Sequence, residues 1–439
     1  MSDTERFVDD YRRWVAPHAN TVPGWLGPLR DAAISRLAAR GFPTPREEDW
    51  KYTNVARLVS RAFPPALDGR TVGAVVPPSL LGAGPALRLV FVNGRVAADA
   101  SGEAALPSGV RLRRLAAAFE AESAAVERHL TRHAAFDRNG FTALSTAFLA
   151  DGAVLEVDDG IAVDRPIEVV FASDGREGER IGHPRLLAVL GREAKASLVE
   201  SYVSLDGAPT LTNAVAEVVL GACAQLAHLR VVREGGGGSH VATTAVTQEH
   251  DSRYSSAALA LRASFLRHEL EVRLAGEGAQ CSLDGLYLAS GKEFVDNHTT
   301  IEHAVPHGTS RELYKGVLAG GARAVFNGKV IVRPNAQKSN AQQTNKNLLL
   351  SPHAEIDSKP ELQILADDVK CAHGAAVGQP DPEAIFYLKS RGIGDAAGRK
   401  LLTRGFAGEV VRRVAPEALR RAVEAAVFER LEQIFAEES

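Results

Sequence analysis

The chain has 439 residues, 45% of them hydrophobic and 24% charged, with a formal net charge of −3. That balance fits a globular protein with a large core, and the absence of a long Lys/Arg block excludes nucleic acid as the main partner, because phosphate binding needs a concentrated basic surface. Met1 to Arg13 is polar, and no uninterrupted apolar stretch approaches the roughly 20 residues that span a bilayer, so the reading is cytoplasmic, with neither a secretory leader nor a membrane span.

Residues 1–140 read as a mainly helical N-terminal domain. Helical patterns run over Thr4–Val15 and Leu29–Arg40. A short strand pair at Arg88–Val92 and Arg95–Ala98 is joined by Asn93-Gly94, a strong hairpin signal. Leu112–His133 reads as one helix, with Leu115, Phe119, Val126 and Leu130 as its apolar stripe.

Residues 141–378 change period. Leu270, Val272 and Leu274 alternate with Glu269, Glu271 and Arg273, as in a strand with one buried face. Similar runs occur at Ala153–Val157, Ile167–Phe171, Leu186–Leu190, Ala214–Leu220, Leu226–Val232, Leu286–Ala289 and Lys329–Val332. Turn residues separate them, among them Asp158-Asp159-Gly160, Asp206-Gly207, Gly320-Gly321 and Asn327-Gly328. So many short strands fit a sandwich, a propeller or a parallel β-helix. No clean break divides the zone into sandwich-sized halves, and no blade motif recurs. A β-helix tolerates variable turns, and the Asn/Gln crowding over 335–347 suits side-chain amides stacked along strands.

Residues 379–439 read as a C-terminal helical domain. Asp381-Pro382 is a helix start, Gly392 and Gly405 suit helix ends, and a last helix begins at Pro416. Its apolar stripe (Leu419, Val423, Val427, Leu431, Ile434, Phe435) must bury against something, either this chain or a partner.

Few motifs carry chemistry. Gly235–Gly238 and Asn327-Gly328-Lys329 lack the remaining residues of a nucleotide-hydrolysing loop, so no nucleotide site is expected in this chain. No Gly-x-Ser-x-Gly elbow is present. His298, His303 and His307 cluster in sequence, but without a metalloprotease spacing. The three cysteines, Cys223, Cys281 and Cys371, lie far apart. They form no disulfide framework and cannot alone hold structural zinc or an iron–sulfur cluster. Cys371 and His373 differ: two apart on a strand, they share one face, and thiolate with imidazole is a plausible ligand pair for iron. The pair is incomplete within one chain, so a full site needs another subunit.

The segments Gly41–Thr53 (ending Trp50-Lys51-Tyr52-Thr53), Phe141–Gly152, Arg311–Gly316, Gln343–Leu350, Ala366–Gly378, Ile385–Ile393 and Gly405-Phe406 together resemble the SufD family. Their order and spacing span nearly the whole chain. The resemblance implies a mainly β protein, a right-handed parallel β-helix between N- and C-terminal helical domains. It also implies a non-catalytic scaffold subunit of the SUF machinery for iron–sulfur cluster assembly. The implied partners are a SufB-like subunit, paired through the β-helices, and a SufC-like ABC ATPase, with homodimerisation an option when SufB is absent. A transient Fe–S cluster at the SufB–SufD interface is the cargo, and a flavin is associated with the family's complex at no identifiable residues here. His373 matches the family's interface histidine, a candidate metal ligand shared with the partner, and Cys371 matches its neighbouring cysteine. The implied ATPase contact involves Tyr387, Arg391, Gly392, Phe406, Leu419, Val423, Val427 and Leu431. The alternatives are a SufB-type primary scaffold and a β-helix carbohydrate-active enzyme.

Overall fold

The structure, a computed structural model, describes residues 3–18, 22–61, 63–65, 79–81, 87–97, 106–176 and 178–438. Its centre is a parallel β-helix. From Lys195–Ser204 onward, successive strands alternate between two parallel sheets, so each turn of the coil contributes one strand to each. Lys195 pairs with Gln225 and Asn340 with Lys370, thirty residues apart in each case. Residues one turn apart therefore stack in columns along the axis, and period-two alternation decides which columns face the lumen.

The inward columns form the main core, with Tyr254, Cys281, Leu283, Tyr287 and Ala289 in one apolar cluster. Where two tyrosines need room, glycines supply it. A Cβ on Gly285 would overlap the ring of Tyr314, and one on Gly316 would overlap that of Tyr287. Of the Asn/Gln run, Gln343, Asn345 and Asn347 point inward, but not as a ladder of like amides. Asn345 donates to the Tyr287 hydroxyl and to the Tyr314 carbonyl, both at 3.1 Å, and Asn347 donates to Asn345 Oδ1 at 2.7 Å. Nearer the N-terminal end the lumen holds buried charge. His228 lies 3.1 Å from Glu200 and 2.9 Å from the Tyr254 hydroxyl, and His240 lies 3.1 Å from Glu234. These groups satisfy one another, as buried polar groups must.

Both outer faces are covered, which is why strands such as Thr210–Leu220 are buried along their whole length. On one sheet, the terminal helix Glu417–Glu437 seats Leu419, Val423, Val427, Leu431 and Ile434 against Leu229, Leu259, Leu286, Leu288 and Val317. On the other, the N-terminal helices Asp3–His18 and Leu26–Arg40, with Trp50 and the buried helix Gly140–Ala147, pack on Ile181, Leu211 and Val241.

Several expectations are corrected. Leu112–His133 is not one helix. Val110–Arg114 is a strand pairing antiparallel with Ala153–Val157, followed by helices Leu115–Glu120 and Ala124–His129. Glu122 adopts a positive φ of 47°, and Ser123 caps the second helix by accepting from the Val126 N–H. Asn327-Gly328 is no turn; it lies inside the strand Arg323–Val332. Gly405 lies within the helix Asp395–Val411 rather than at its end. The segment opening the β zone, 141–147, is helical. The Asn93-Gly94 hairpin forms, with φ of 48° and 79°, although Ala98 lies outside the described residues. Among the described residues, no helix is long and apolar enough to cross a membrane.

Candidate functional site

Among the described residues, nothing caps the end of the coil. Glu355–Ile364 and Lys370–Gly378 are the last strands of their sheets, each paired on one side only. Their burial drops sharply compared with the strands beneath, and Ile364, Leu365 and Val377 stand among the few exposed large apolar residues. An uncovered strand edge offers unpaired backbone groups and asks for a partner.

Cys371 and His373 lie on that final strand, opposite Ala341 and Gln343. Ala341 and Cys371 belong to one small apolar cluster with Val330 and Val332 at the mouth of the lumen. Cys371 is half-buried while His373 is exposed. Burial pushes the Cys371 thiol up, partly offset by its hydrogen bond with the Ala341 backbone. Cys371 and His373 thus share the inward face of the edge strand, at the open end. Among the described residues there is no group of three or more His, Cys, Asp or Glu able to hold a metal.

The other sequence candidates lie farther along. Three residues separate Gly378 from the helix Pro382–Ser390, which is capped by Asp381, whose side chain accepts from the Glu383 N–H at 2.9 Å. Tyr387 is 58% exposed, and the Arg391 guanidinium sits over its ring at 5.3 Å. Gly392 takes a φ of 85° and turns the chain out of this helix. Phe406 is partly buried under Lys315, whose Nζ lies 3.9 Å from its ring centroid and donates to its carbonyl at 2.9 Å. Leu419, Val423, Val427 and Leu431 are a correction: all four are fully buried against the chain's own β-helix, so in this conformation they offer no surface to a partner.

The sequence did not single out Phe386, 74% exposed, or Leu401, although with Tyr387 they leave apolar surface on the C-terminal helices that nothing covers among the described residues. The signal was present in Ile385-Phe386-Tyr387-Leu388, since a single helix face cannot bury four consecutive large residues. Gln343 and Glu312, which lie beneath His373, fall in the segments Gln343–Leu350 and Arg311–Gly316, but nothing in the sequence pointed to their pairing. The three sequence-clustered histidines do not converge. His298 pairs with Asp296 at 3.0 Å, His303 bonds Ser310 at 2.9 Å, and His307 lies 3.7 Å from Glu277.

Comparison with known families agrees with this architecture. Residues 171–406 match the family model described as SUF system FeS cluster assembly, SufBD core domain, and residues 1–169 match the SufBD protein N-terminal region. The chain is 34% identical to an iron–sulfur cluster assembly SufBD family protein of Synechocystis, over 88% of this chain and 86% of that protein. It is 32% identical to the iron–sulfur cluster assembly protein SufD of Escherichia coli, over 92% of this chain and 93% of the relative. A chloroplastic protein of Arabidopsis thaliana, ABCI7, is 28% identical over 88% of this chain and 82% of its own length. On the uncapped β-helix, its two helical flanks and these matches, the chain belongs to the SufBD family of SUF-system iron–sulfur cluster assembly proteins and is similar to SufD along almost its whole length.

Proposed function

We propose that this chain is the SufD-type, non-catalytic scaffold subunit of a cytoplasmic SUF complex, and that its open β-helix end pairs with a SufB-like subunit. The observation that carries this reading is the edge strand Lys370–Gly378, which presents Cys371 and His373 together on an uncovered end. Two soft ligands do not complete an iron site. His373 would supply one ligand to a transient Fe–S cluster, the cargo, and the partner subunit would supply thiolate. Cys371 serves as a second ligand or as a contact residue.

The exposed surface around Phe386, Tyr387, Arg391 and Gly392, with the edge of Phe406, docks a SufC-like ABC ATPase, where ATP is hydrolysed. The strand bearing His373 leads through three residues into the docking helix Pro382–Ser390. Motion at the ATPase can therefore reach the interface through a short covalent path. The chain divides functionally at 140/141 and 378/379.

Co-expression with SufB-like and SufC-like partners tests the pairing. Val377→Lys places a charge on the open end without touching the core, since Val377 is 52% exposed. It should release the SufB-like chain while retaining the ATPase. Undisturbed pairing by that variant contradicts the interface.

A further inference from the structure

Beneath His373 in the inward stack stands Gln343, and beneath Gln343 stands Glu312. Both are buried. Paired residues on one face of adjacent strands are separated by about 4.8 Å of sheet, so their side chains are within reach of each other.

The Gln343 amide is held on two sides. Its Nε2 donates to Glu312 Oε2 at 2.7 Å. Across the lumen, Gly328 leaves the space the amide fills, because a Cβ there would overlap Gln343 Nε2 and stand 2.8 Å from the amide carbon. The strand interior at Gly328 therefore has no side chain where Gln343 needs room. With Nε2 committed to Glu312, Oε1 is the remaining acceptor, and it has no hydrogen-bond partner among the described residues. A buried acceptor without a donor is costly, and the nearest exposed donor along its column is the imidazole of His373.

We propose that Gln343, braced by Glu312 and Gly328, is a positioning residue for His373. Its Oε1 accepts the N–H of one imidazole nitrogen, which fixes the tautomer and turns the other nitrogen outward through the open end as a lone-pair donor. Histidines that bind metal ordinarily donate their second ring N–H to such an acceptor, and this orients the ring. The purpose assigned to the bond rests on the interface reading above; the bond itself does not.

The test is nuclear magnetic resonance of ring nitrogens in the full-length chain labelled with ¹⁵N-histidine. Spectra are taken at pH 8.5, above the value of about 7 to which burial pushes Glu312. The His373 signals are assigned by their loss in His373→Ala. The wild type should show one dominant N–H tautomer at His373, with well-separated ring nitrogens. Gln343→Met, of similar volume but without an acceptor, should collapse that separation toward an averaged pattern. An averaged pattern in the wild type overturns the proposal without any variant, and so does an unchanged tautomer in folded Gln343→Met. Normal cluster assembly by His373→Ala would instead overturn the ligand role and leave the tautomer result standing.

Discussion

The guanidinium carbon of Arg267 lies 3.6 Å from the centroid of the Trp50 indole. Arg267 is fully buried on the strand Phe265–Leu274, where it pairs with Asp296, contacts Glu269 at 2.7 Å and donates to the Asp49 carbonyl at 2.9 Å. Thr53 hydrogen-bonds the same Asp296. The segment Asp49 to Thr53 is thus a clamp that fixes the N-terminal region to the β-helix, by cation–π stacking of Trp50 on Arg267 and by hydrogen bonds to the two partners of the buried Arg267–Asp296 ion pair.

Removing the anion leaves Arg267 charged and buried. Asp296→Ala should cost about 3–5 kcal/mol in denaturant unfolding. Burial alone would raise the Asp296 carboxyl, but Arg267 and His298 outweigh it and hold the group at about 2. A depressed carboxylate stabilises above its unfolded value of about 3.9 and loses that contribution as pH falls through the folded value. Wild-type stability should therefore decline between about pH 4 and pH 2 through this pair, and Asp296→Asn should flatten that decline.

Glu312 has the opposite sign. Burial pushes its carboxyl up to about 7, with Asp284 adding repulsion and Gln343 opposing. A raised carboxyl favours folding below its unfolded value of about 4.3, and that advantage is lost as pH rises through about 7. Glu312→Gln keeps an acceptor for Gln343 and removes the titration. It should gain up to roughly 3 kcal/mol relative to wild type between pH 5 and pH 8, read by chemical unfolding at a series of pH values.

The C-terminal helices separate packing from docking. Leu431 is fully buried against the β-helix, whereas Phe386 and Tyr387 stand largely in solvent. Leu431→Ala should lower stability by about 2–5 kcal/mol. Phe386→Ala and Tyr387→Ala should leave the melting temperature unchanged and weaken ATPase binding by about 2 kcal/mol each, as expected of interface aromatics. Calorimetric titration with the ATPase checks the second pair, and thermal unfolding the first.

The β period, the helical flanks and the Cys371/His373 pairing were legible because alternation and i, i+2 geometry are local. The coil itself was only half legible. Its turn length drifts, with Gln225 pairing with Arg253 and Arg253 with Gln280, twenty-eight and twenty-seven residues apart. A drifting repeat leaves no fixed sequence period. Asn327-Gly328 carried a turn signal, yet the glycine serves close packing against Gln343 inside a strand. The stripe Leu419–Phe435 showed that a face is buried but not on what, because amphipathicity does not distinguish the chain's own β-helix from a partner. The pairing of Gln343 with Glu312 was invisible because it depends on register between strands a full turn apart.

The most direct measurement is visible absorption of the anaerobically assembled complex of this chain with SufB-like and SufC-like subunits, wild type against His373→Ala. The account predicts thiolate-to-iron charge-transfer bands in the wild-type complex and at least about a tenfold loss of them in the variant, with all three subunits still co-purifying. Equal absorption in the two complexes would contradict a cluster built at the open end of this β-helix.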